Sequence, residues 1–490
     1  MSTQSYRAIL KNTSIFGGVQ FFQIFVTLIK AKFIAVLLGS VGMGISGILM
    51  STINVVISIA NLGLNYSGVR EISKASEESK NTSKIIRVFL ILTILTGVMG
   101  SIVTIAISPY LSQTAFGNHN YTTAFIFLSS VVLFNIVTTG LSSIFQGLRH
   151  TKYVAKSSII GSIIGLFTSI PLYIYFELNG IVPAIIIASI TSLSINFFFY
   201  KKINIKDTRV TKDDILTEGN GMLKLGIIMM LSVFLGAFAT FIVNSFISNN
   251  GGLNDVGLYQ AGMSLTNQYI GLIFSAMAMD YLPRLSAVCN DKHKLDIMVN
   301  QQAEVVLLII SPLLLILIIT APLIVKVLLS AEFLPIISFV RIVAVGMMFK
   351  AAVYSVGYIS FAKGDKWFFF TIDAVTGNIT QILLNIVMYK YFGFIGLGVS
   401  FLLIYIIGFI KIIFFTKLRY NFNFNRVFYK IFLVLLSFVL VVYILITFFY
   451  SIYIFITCFI LLVPMLYYVY VELDKRIEIK ILLSKLIRFK

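Results

Sequence analysis

Amide, hydroxyl and ammonium side chains recur along one face of the first apolar stretch of the chain. Gln20, Gln23, Thr27 and Lys30 are three, four and three residues apart, so a helix would place them in one line. Such groups can bind a hydroxyl-rich or anionic ligand, and they require a wet or protein-lined surface rather than lipid. The line therefore predicts a helix that borders a polar cavity at membrane depth.

Asparagine recurs in similar lines further along the chain. Asn54 and Asn61 share a predicted helix face in the second apolar stretch, and Asn244 and Asn267 lie in the seventh and eighth. Small and hydroxyl residues also pack membrane helices against each other, and this alternative stays open for any single line. The recurrence of asparagine and glutamine favours a ligand cavity, for which these residues are the predicted binding groups.

Two lysines lie deep within apolar stretches. Lys30 belongs to the first polar line, and Lys350 lies near the middle of the tenth stretch with Tyr354 one turn later. A lysine at mid-bilayer costs roughly 2.5–3.5 kcal/mol, and an opposite charge at 4 Å returns about 4 kcal/mol at an effective dielectric near 20. The two lysines therefore predict an anionic ligand.

Acidic residues within the apolar stretches are few. Asp280 and Arg284 are four residues apart at the end of the eighth stretch, where either a local ion pair that holds the helix end and gate or a substrate role would fit. Glu304 opens the ninth stretch, and Asp373 lies inside the eleventh. These four residues are the predicted gate or ion-coupling groups.

The elements that must position these side chains are apolar helices. The chain has 490 residues, of which 58% are hydrophobic and only 12% charged, whereas a soluble protein has roughly 25% charged residues. Fourteen stretches are long enough to cross a hydrocarbon core of about 30 Å. They span residues 13–39, 41–68, 85–109, 121–146, 157–176, 181–200, 223–248, 257–280, 303–329, 336–361, 367–390, 394–416, 431–450 and 452–471. The predicted fold is an all-α, multi-pass membrane protein with about fourteen transmembrane helices.

The net charge of +19 follows the connections between stretches. Most of the 38 lysines and arginines fall in alternate connections and at the two ends of the chain. Because basic loops stay in the cytoplasm, this pattern predicts cytoplasmic termini and explains the charge without nucleic acid.

An internal repeat organises the stretches. At an offset of 213 residues, Gly44, Ser51 and Asn54 match Gly257, Ser264 and Asn267. Six spans per repeat predict parallel lobes related by an axis along the membrane normal. The predicted parts are an N-terminal lobe (1–200), a cytoplasmic linker (201–222), a C-terminal lobe (223–417), and two peripheral helices with a basic tail (418–490).

The sequence offers no catalytic constellation. Its two cysteines, Cys289 and Cys458, lie far apart, and its three histidines fall in three different loops. Neither spacing suits a metal, and a nucleotide-binding Gly-Lys loop is absent. We therefore expect a protein that is not an enzyme and needs no cofactor or metal.

Several segments resemble a known family. The stretch from Lys30 to Gly44, the segment DVGLYQAG from Asp255, and the segment AMDYLPRLS from Ala278 are similar to polysaccharide transporters of the multidrug/oligosaccharidyl-lipid/polysaccharide exporter superfamily. Together with VNQQAE from Val299 and APLIVKVLLSAEF from Ala321, they resemble O-antigen translocases, over about residues 10–420.

The resemblance implies a flippase in the bacterial cytoplasmic membrane. Its substrate would be an undecaprenyl-pyrophosphate-linked oligosaccharide, such as the repeat unit of the O-antigen of lipopolysaccharide or a related surface polysaccharide. Expected protein partners are a polysaccharide polymerase and a chain-length regulator. Two alternatives remain: a multidrug or metabolite cation antiporter of the same superfamily, which the few acidic residues disfavour, and a membrane polysaccharide polymerase or ligase, which the short outward loops disfavour.

Overall fold

A computed structural model describes residues 3–77, 81–203, 205, 208, 210–449 and 451–477. These residues fold into helices joined by short turns, and no strand occurs among them. The α-helices are α1 (Thr3–Leu37), α2 (Gly39–Ala60), α3 (Leu64–Glu77), α4 (Thr82–Ala106), α5 (Ser108–Phe116), α6 (Thr122–Gly147), α7 (Thr151–Phe176), α8 (Ile181–Lys201), α9 (Lys212–Val288), α10 (Lys292–Leu328), α11 (Ile336–Ala362), α12 (Lys366–Phe368), α13 (Thr376–Tyr420), α14 (Arg426–Phe448) and α15 (Ile452–Ile477). Short 3-10 segments cover Glu177–Gly180 and Ala331–Phe333, and a π-helix covers Phe369–Val375.

Eleven of the described segments are long and apolar enough to cross a membrane. Three of them, Thr151–Lys201, Met229–Gly271 and Phe369–Tyr420, each hold two helices in succession. Gly252 (φ 84°) and Gly393 (φ 58°) interrupt the second and third, because glycine adopts positive φ without a Cβ clash. All fourteen predicted stretches overlap these segments, which confirms the prediction of an all-α, multi-pass membrane protein.

The second predicted stretch, 41–68, is not one helix. α2 ends at Ala60, and a turn through Leu62 (φ 48°) and Gly63 (φ 68°) leads into α3. A Cβ on Gly63 would lie 2.0 Å from the carbonyl oxygen of Gly226, so only glycine fits this turn. Periodicity of apolar residues does not reveal such a break, because the hydrophobic pattern continues through it.

The chain divides into two compact units, Met1–Gln260 and Ala261–Lys490. In the first unit, a buried cluster centred on Phe89 and Phe145 joins α3, α4, α6 and α8. α2 also runs close to α9 in this unit, because a Cβ on Gly257 would lie 1.8 Å from the carbonyl oxygen of Ser40. Small residues permit this approach, as they commonly do in membrane helices. The predicted lobes 1–200 and 223–417 and the linker 201–222 stay predictions, although the linker is helical from Lys212 onward.

In the second unit, α10 and α11 carry most of the buried apolar side chains, including Leu307, Leu314, Val343 and Met347. α11 packs against both α10 and α13, and α14 and α15 pack against α10. Arg341, which is 7% exposed, donates from Nε to the carbonyl oxygen of Ile318 at 3.2 Å and joins α11 to α10.

Candidate functional site

The first unit contains a cavity of about 630 Å³ with a polar wall of asparagine and serine. Asn54 and Ser58 contribute from α2, Asn61 from the turn, and Asn65 from α3. We call this space the asparagine cavity. The four side chains reach it although the helix breaks among them, because the turn at 61–63 starts a new helix beside the same space. The predicted helix face thus becomes a cavity wall.

α9 forms another part of the wall of the asparagine cavity. It combines the apolar residues Met230 and Val233 with Gly236 and Thr240. Thr240 donates its hydroxyl to the carbonyl oxygen of Gly236 at 3.0 Å, so that hydroxyl is satisfied within its own helix. The cavity therefore combines amide and hydroxyl groups with apolar surface, which suits a ligand that carries hydroxyl groups.

Asn244 acts through a neighbour rather than from the cavity wall. It is fully buried, and its Oδ1 accepts a hydrogen bond from Gln260 Nε2 at 3.0 Å. Gln260 lines the asparagine cavity, and a Cβ on Gly47 would lie 2.7 Å from its Cγ. Sequence reasoning did not select Gln260, although it lies within the family-like segment DVGLYQAG, which could have identified it.

The first polar line lies on α1, outside the lining of the asparagine cavity. Gln20 and Thr27 are exposed, whereas Gln23 and Lys30 are half-buried. Thr27 donates its hydroxyl to the carbonyl oxygen of Gln23 at 2.7 Å. The structure thus separates this line from the asparagines, and the ligand-binding role of its four residues stays a prediction.

The second unit contains a cavity of about 690 Å³ that Lys350 and Lys411 line together with Tyr354. We call it the lysine cavity. Lys350 Nζ lies 5.7 Å from the ring centroid of Phe274 and 5.4 Å from that of Tyr405. These cation–π contacts hold the ammonium group, and among the described residues it forms no ion pair. Lys350 is therefore positioned to meet an anion.

Lys411 has protein acceptors within the same cavity. Its Nζ donates to the carbonyl oxygen of Ile372 at 2.6 Å and to Thr376 Oγ1 at 2.9 Å. Ile372 belongs to the π-helix, whose widened turn changes the usual carbonyl pairing. Amide and hydroxyl groups of Asn378, Thr380 and Gln381 complete the polar wall. Sequence reasoning did not select Lys411 or these three residues of α13.

The remaining predicted residues lie apart from these two cavities. Asn267 is half-buried on α9 in the second unit. Asp280 and Arg284 form an exposed ion pair at 2.7 Å. The side chain of Asp373 lies outside the described residues. A gating role for Asp280 and Arg284 stays a prediction.

Glu304 lies in a buried ion pair between distant helices. Its carboxylate, only 6% exposed, is 2.7 Å from a guanidinium nitrogen of Arg476 on α15. Glu304 Oε1 also accepts from Asn425 Nδ2 at 3.2 Å, and Arg476 reaches Glu472 at 2.7 Å. The pair joins α10 to α15, and an ion-coupling role for Glu304 stays a prediction.

The described linings of the two cavities offer none of the usual side-chain ligands of a metal ion. The residues that line the two cavities, as far as the structure describes them, include no carboxylate, cysteine or histidine. Within the described part of the chain, no group of three such side chains could hold a metal ion. What the cavities present is neutral amides, hydroxyl groups, aromatic rings and lysine.

Comparison with known proteins supplies the context. The sequence profile of a family described as "Polysaccharide biosynthesis protein" matches residues 33–338. No curated protein sequence matches the chain significantly.

Three solved structures have a similar fold. The lipid II flippase MurJ, in an inward-closed conformation, superposes with a TM-score of 0.72 at 17% identity, over 95% of this chain and 99% of that one. An inward-facing multidrug resistance MATE family transporter of the MOP superfamily superposes with a TM-score of 0.65 at 17% identity, over 79% of this chain and 93% of that one. A mutant MATE transporter from Vibrio cholerae superposes with a TM-score of 0.60 at 14% identity, over 87% of this chain and 100% of that one.

Proposed function

Because the chain belongs to the polysaccharide biosynthesis protein family, we propose that it is a flippase for a lipid-linked oligosaccharide. The substrate in this proposal is an undecaprenyl-pyrophosphate-linked repeat unit of O-antigen or a related surface polysaccharide. It moves from the inner to the outer leaflet of the bacterial cytoplasmic membrane by alternating access. Both chain termini face the cytoplasm, and no bond is made or broken.

The observation that carries the proposal is the asparagine cavity. Asn54, Asn61 and Gln260 place neutral amides at the depth of apolar helices, where each unsatisfied polar group is costly. Amides both donate and accept, so they match sugar hydroxyl groups, which do the same. A volume of about 630 Å³ is within the range of ordinary small-ligand sites.

The lysine cavity supports an anionic substrate. A pyrophosphate next to Lys350 would find an ammonium group that lies over two ring faces and forms no ion pair or hydrogen bond among the described residues. One such charge pair at 4 Å is worth about 4 kcal/mol at an effective dielectric near 20. A role of Lys30 in binding the anion stays a prediction from the sequence.

The structural neighbours also favour one alternative, a multidrug or metabolite cation antiporter. Two of the three superposed folds are MATE transporters. A cation substrate needs carboxylates, and the described lining of both cavities contains none. The lining therefore favours the flippase.

The test uses a strain that lacks its own flippase for a surface polysaccharide and carries this chain with the matching biosynthesis enzymes. Lys350→Gln should reduce surface polysaccharide at least tenfold, because the loss of one charge pair exceeds about 1.4 kcal/mol. Asn61→Leu should reduce it by removing an amide from the asparagine cavity. Lys417→Gln, which removes an exposed lysine at the end of α13, is the matched control.

The amount of folded protein in the membrane is measured for every variant. The proposal requires that Lys350→Gln and Asn61→Leu lose export at unchanged protein level. Normal export in both variants, or export of a cationic dye by the unmodified chain without any polysaccharide, would refute it.

A further inference from the structure

A third pocket, of about 770 Å³, lies in the second unit where three apolar helices meet at one end. α10 and α14 begin at this pocket, and α15 ends there. All three are candidate membrane spans, so their shared end is at the level of the lipid headgroups. Ile297 and Val427, which are 44% and 47% exposed, place apolar surface beside its charged groups.

Four of the charged groups in this pocket neutralise each other. Glu304 pairs with Arg476, Arg476 pairs with Glu472, and Lys475 lies 2.7 Å from Glu472. Two carboxylates thus meet two cations in one hydrogen-bonded network. This network leaves no net charge for a ligand.

The charged groups of Asp296 and Lys430, the hydroxyl group of Tyr468 and the imidazole of His293 lie outside that network. Within the described part of the chain, Asp296 forms no ion pair, and its buried Oδ1 has no hydrogen-bond partner. Lys430 is exposed and likewise forms no ion pair there. The buried hydroxyl of Tyr468 also lacks a partner. A buried polar atom without a partner costs about 1–3 kcal/mol, so these groups call for a ligand.

The surrounding lysines do not satisfy Asp296 directly. Lys292, His293 and Lys363 act on its carboxylate electrostatically, but none of them forms an ion pair or hydrogen bond with it. The ammonium group of Lys363 donates instead to the carbonyl oxygen of Cys289 at 2.7 Å. Asp296 Oδ1 is therefore buried without a hydrogen-bond donor among the described residues.

We propose that this pocket binds the headgroup of phosphatidylethanolamine. The phosphodiester lies by Lys430 and the Tyr468 hydroxyl, and the primary ammonium donates to Asp296. The acyl chains leave the pocket along Ile297 and Val427. A zwitterionic headgroup matches one unpaired cation and one unpaired carboxylate, whereas a purely anionic headgroup would leave the carboxylate without a donor cation. This inference does not depend on the proposed transport function.

The test is native mass spectrometry of the purified full-length chain, titrated with lipids of identical acyl chains. Phosphatidylethanolamine should bind about tenfold more tightly than phosphatidylcholine, because the trimethylammonium group of the latter has no proton to donate. Asp296→Asn should weaken the binding of phosphatidylethanolamine about tenfold and leave the binding of phosphatidylcholine unchanged. It should strengthen the binding of phosphatidylglycerol, because it removes a like charge. A general packing defect would shift all three lipids in the same direction.

Lys430→Gln should weaken the binding of all three lipids, and Lys417→Gln on the same membrane face should change none. Equal binding of the three lipids, or an equal loss for all three in Asp296→Asn, would overturn the proposal. If Asp296→Asn fails to fold, Lys430→Gln and Tyr468→Phe test the phosphodiester position. Unchanged lipid binding in both variants would then overturn the proposal. Because lipid binding is measured without transport, a failure here leaves the flippase proposal standing.

Discussion

Loss of Arg476 should destabilise the chain far more than loss of its partner Glu304. Arg476 contacts two carboxylates, Glu304 and Glu472, each at 2.7 Å. In Arg476→Gln, Glu304 keeps only its hydrogen bond from Asn425 while its side chain stays 6% exposed. In Glu304→Gln, by contrast, Arg476 keeps Glu472, and the new amide still accepts a hydrogen bond.

The magnitudes follow from which charge is left without a partner. Stranding one member of a buried ion pair costs about 3–5 kcal/mol, which applies to Arg476→Gln. Glu304→Gln replaces a charged hydrogen bond by a neutral one, at a cost of about 1–2 kcal/mol. The double variant strands no carboxylate, because Glu472 keeps Lys475 at 2.7 Å. It should therefore be more stable than Arg476→Gln alone.

The assay is reversible unfolding in mixed detergent micelles, with the free energy of unfolding taken from the transition. Arg419→Gln is the matched control, because Arg419 pairs with Asp365 at 3.0 Å but is 62% exposed. Exposed pairs contribute about 0–1 kcal/mol, so this control should change little. The reasoning is refuted if the double variant is no more stable than Arg476→Gln, or if Arg476→Gln behaves like the control.

Two further variants test local geometry in the first unit. Gly257→Ala should lower the free energy of unfolding by about 1–3 kcal/mol, because the added methyl group overpacks against Ser40. The control Gly221→Ala places its methyl group in open space and should not lower the free energy of unfolding. Equal effects of the two substitutions would contradict the close approach of the helices. The hydrogen bond from Lys84 lowers the pKa of Asp214 to about 2, from an ordinary value of 3.8. The stabilisation that the ionised Asp214 contributes to the folded chain is therefore present above pH 3.8 and is lost as the pH falls from 3.8 to about 2. The difference in melting temperature between the unmodified chain and Asp214→Asn should be constant from pH 5 to 8 and disappear below pH 2; a change between pH 5 and 8 would contradict it.

The sequence predicted the helices well because lipid imposes a simple requirement on them. A span needs about 20 apolar residues, and every backbone polar group must be satisfied within the helix, so the fourteen stretches are visible in composition alone. Breaks at Gly252 and Gly393 agree with the predicted gaps. The break at 61–63 was not predicted, because it depends on the close approach of Gly63 to Gly226, which is distant in sequence.

The binding groups were harder to predict, because helical periodicity tells which side chains share a face but not what that face meets. Asn54 and Asn61, two of the predicted binding groups, line the asparagine cavity, whereas Gln260, which is held by Asn244 sixteen residues away, was not predicted. The ion pair between Glu304 and Arg476 joins residues 172 positions apart, and composition carries no signal for such a pairing.

Two lysines of the second unit likewise differ in what their side chains contact, although their positions in the sequence look alike. Lys350 and Lys411 line one cavity, and both lie within apolar helices, so sequence position alone gives them the same cost of burial. The structure assigns Lys411 two oxygen acceptors at 2.6 and 2.9 Å, whereas Lys350 has only the faces of two rings among the described residues. A cation with satisfied hydrogen bonds stabilises the fold, and one without them stabilises a bound anion. Lys350 is therefore the residue of the lysine cavity whose loss should affect transport rather than folding.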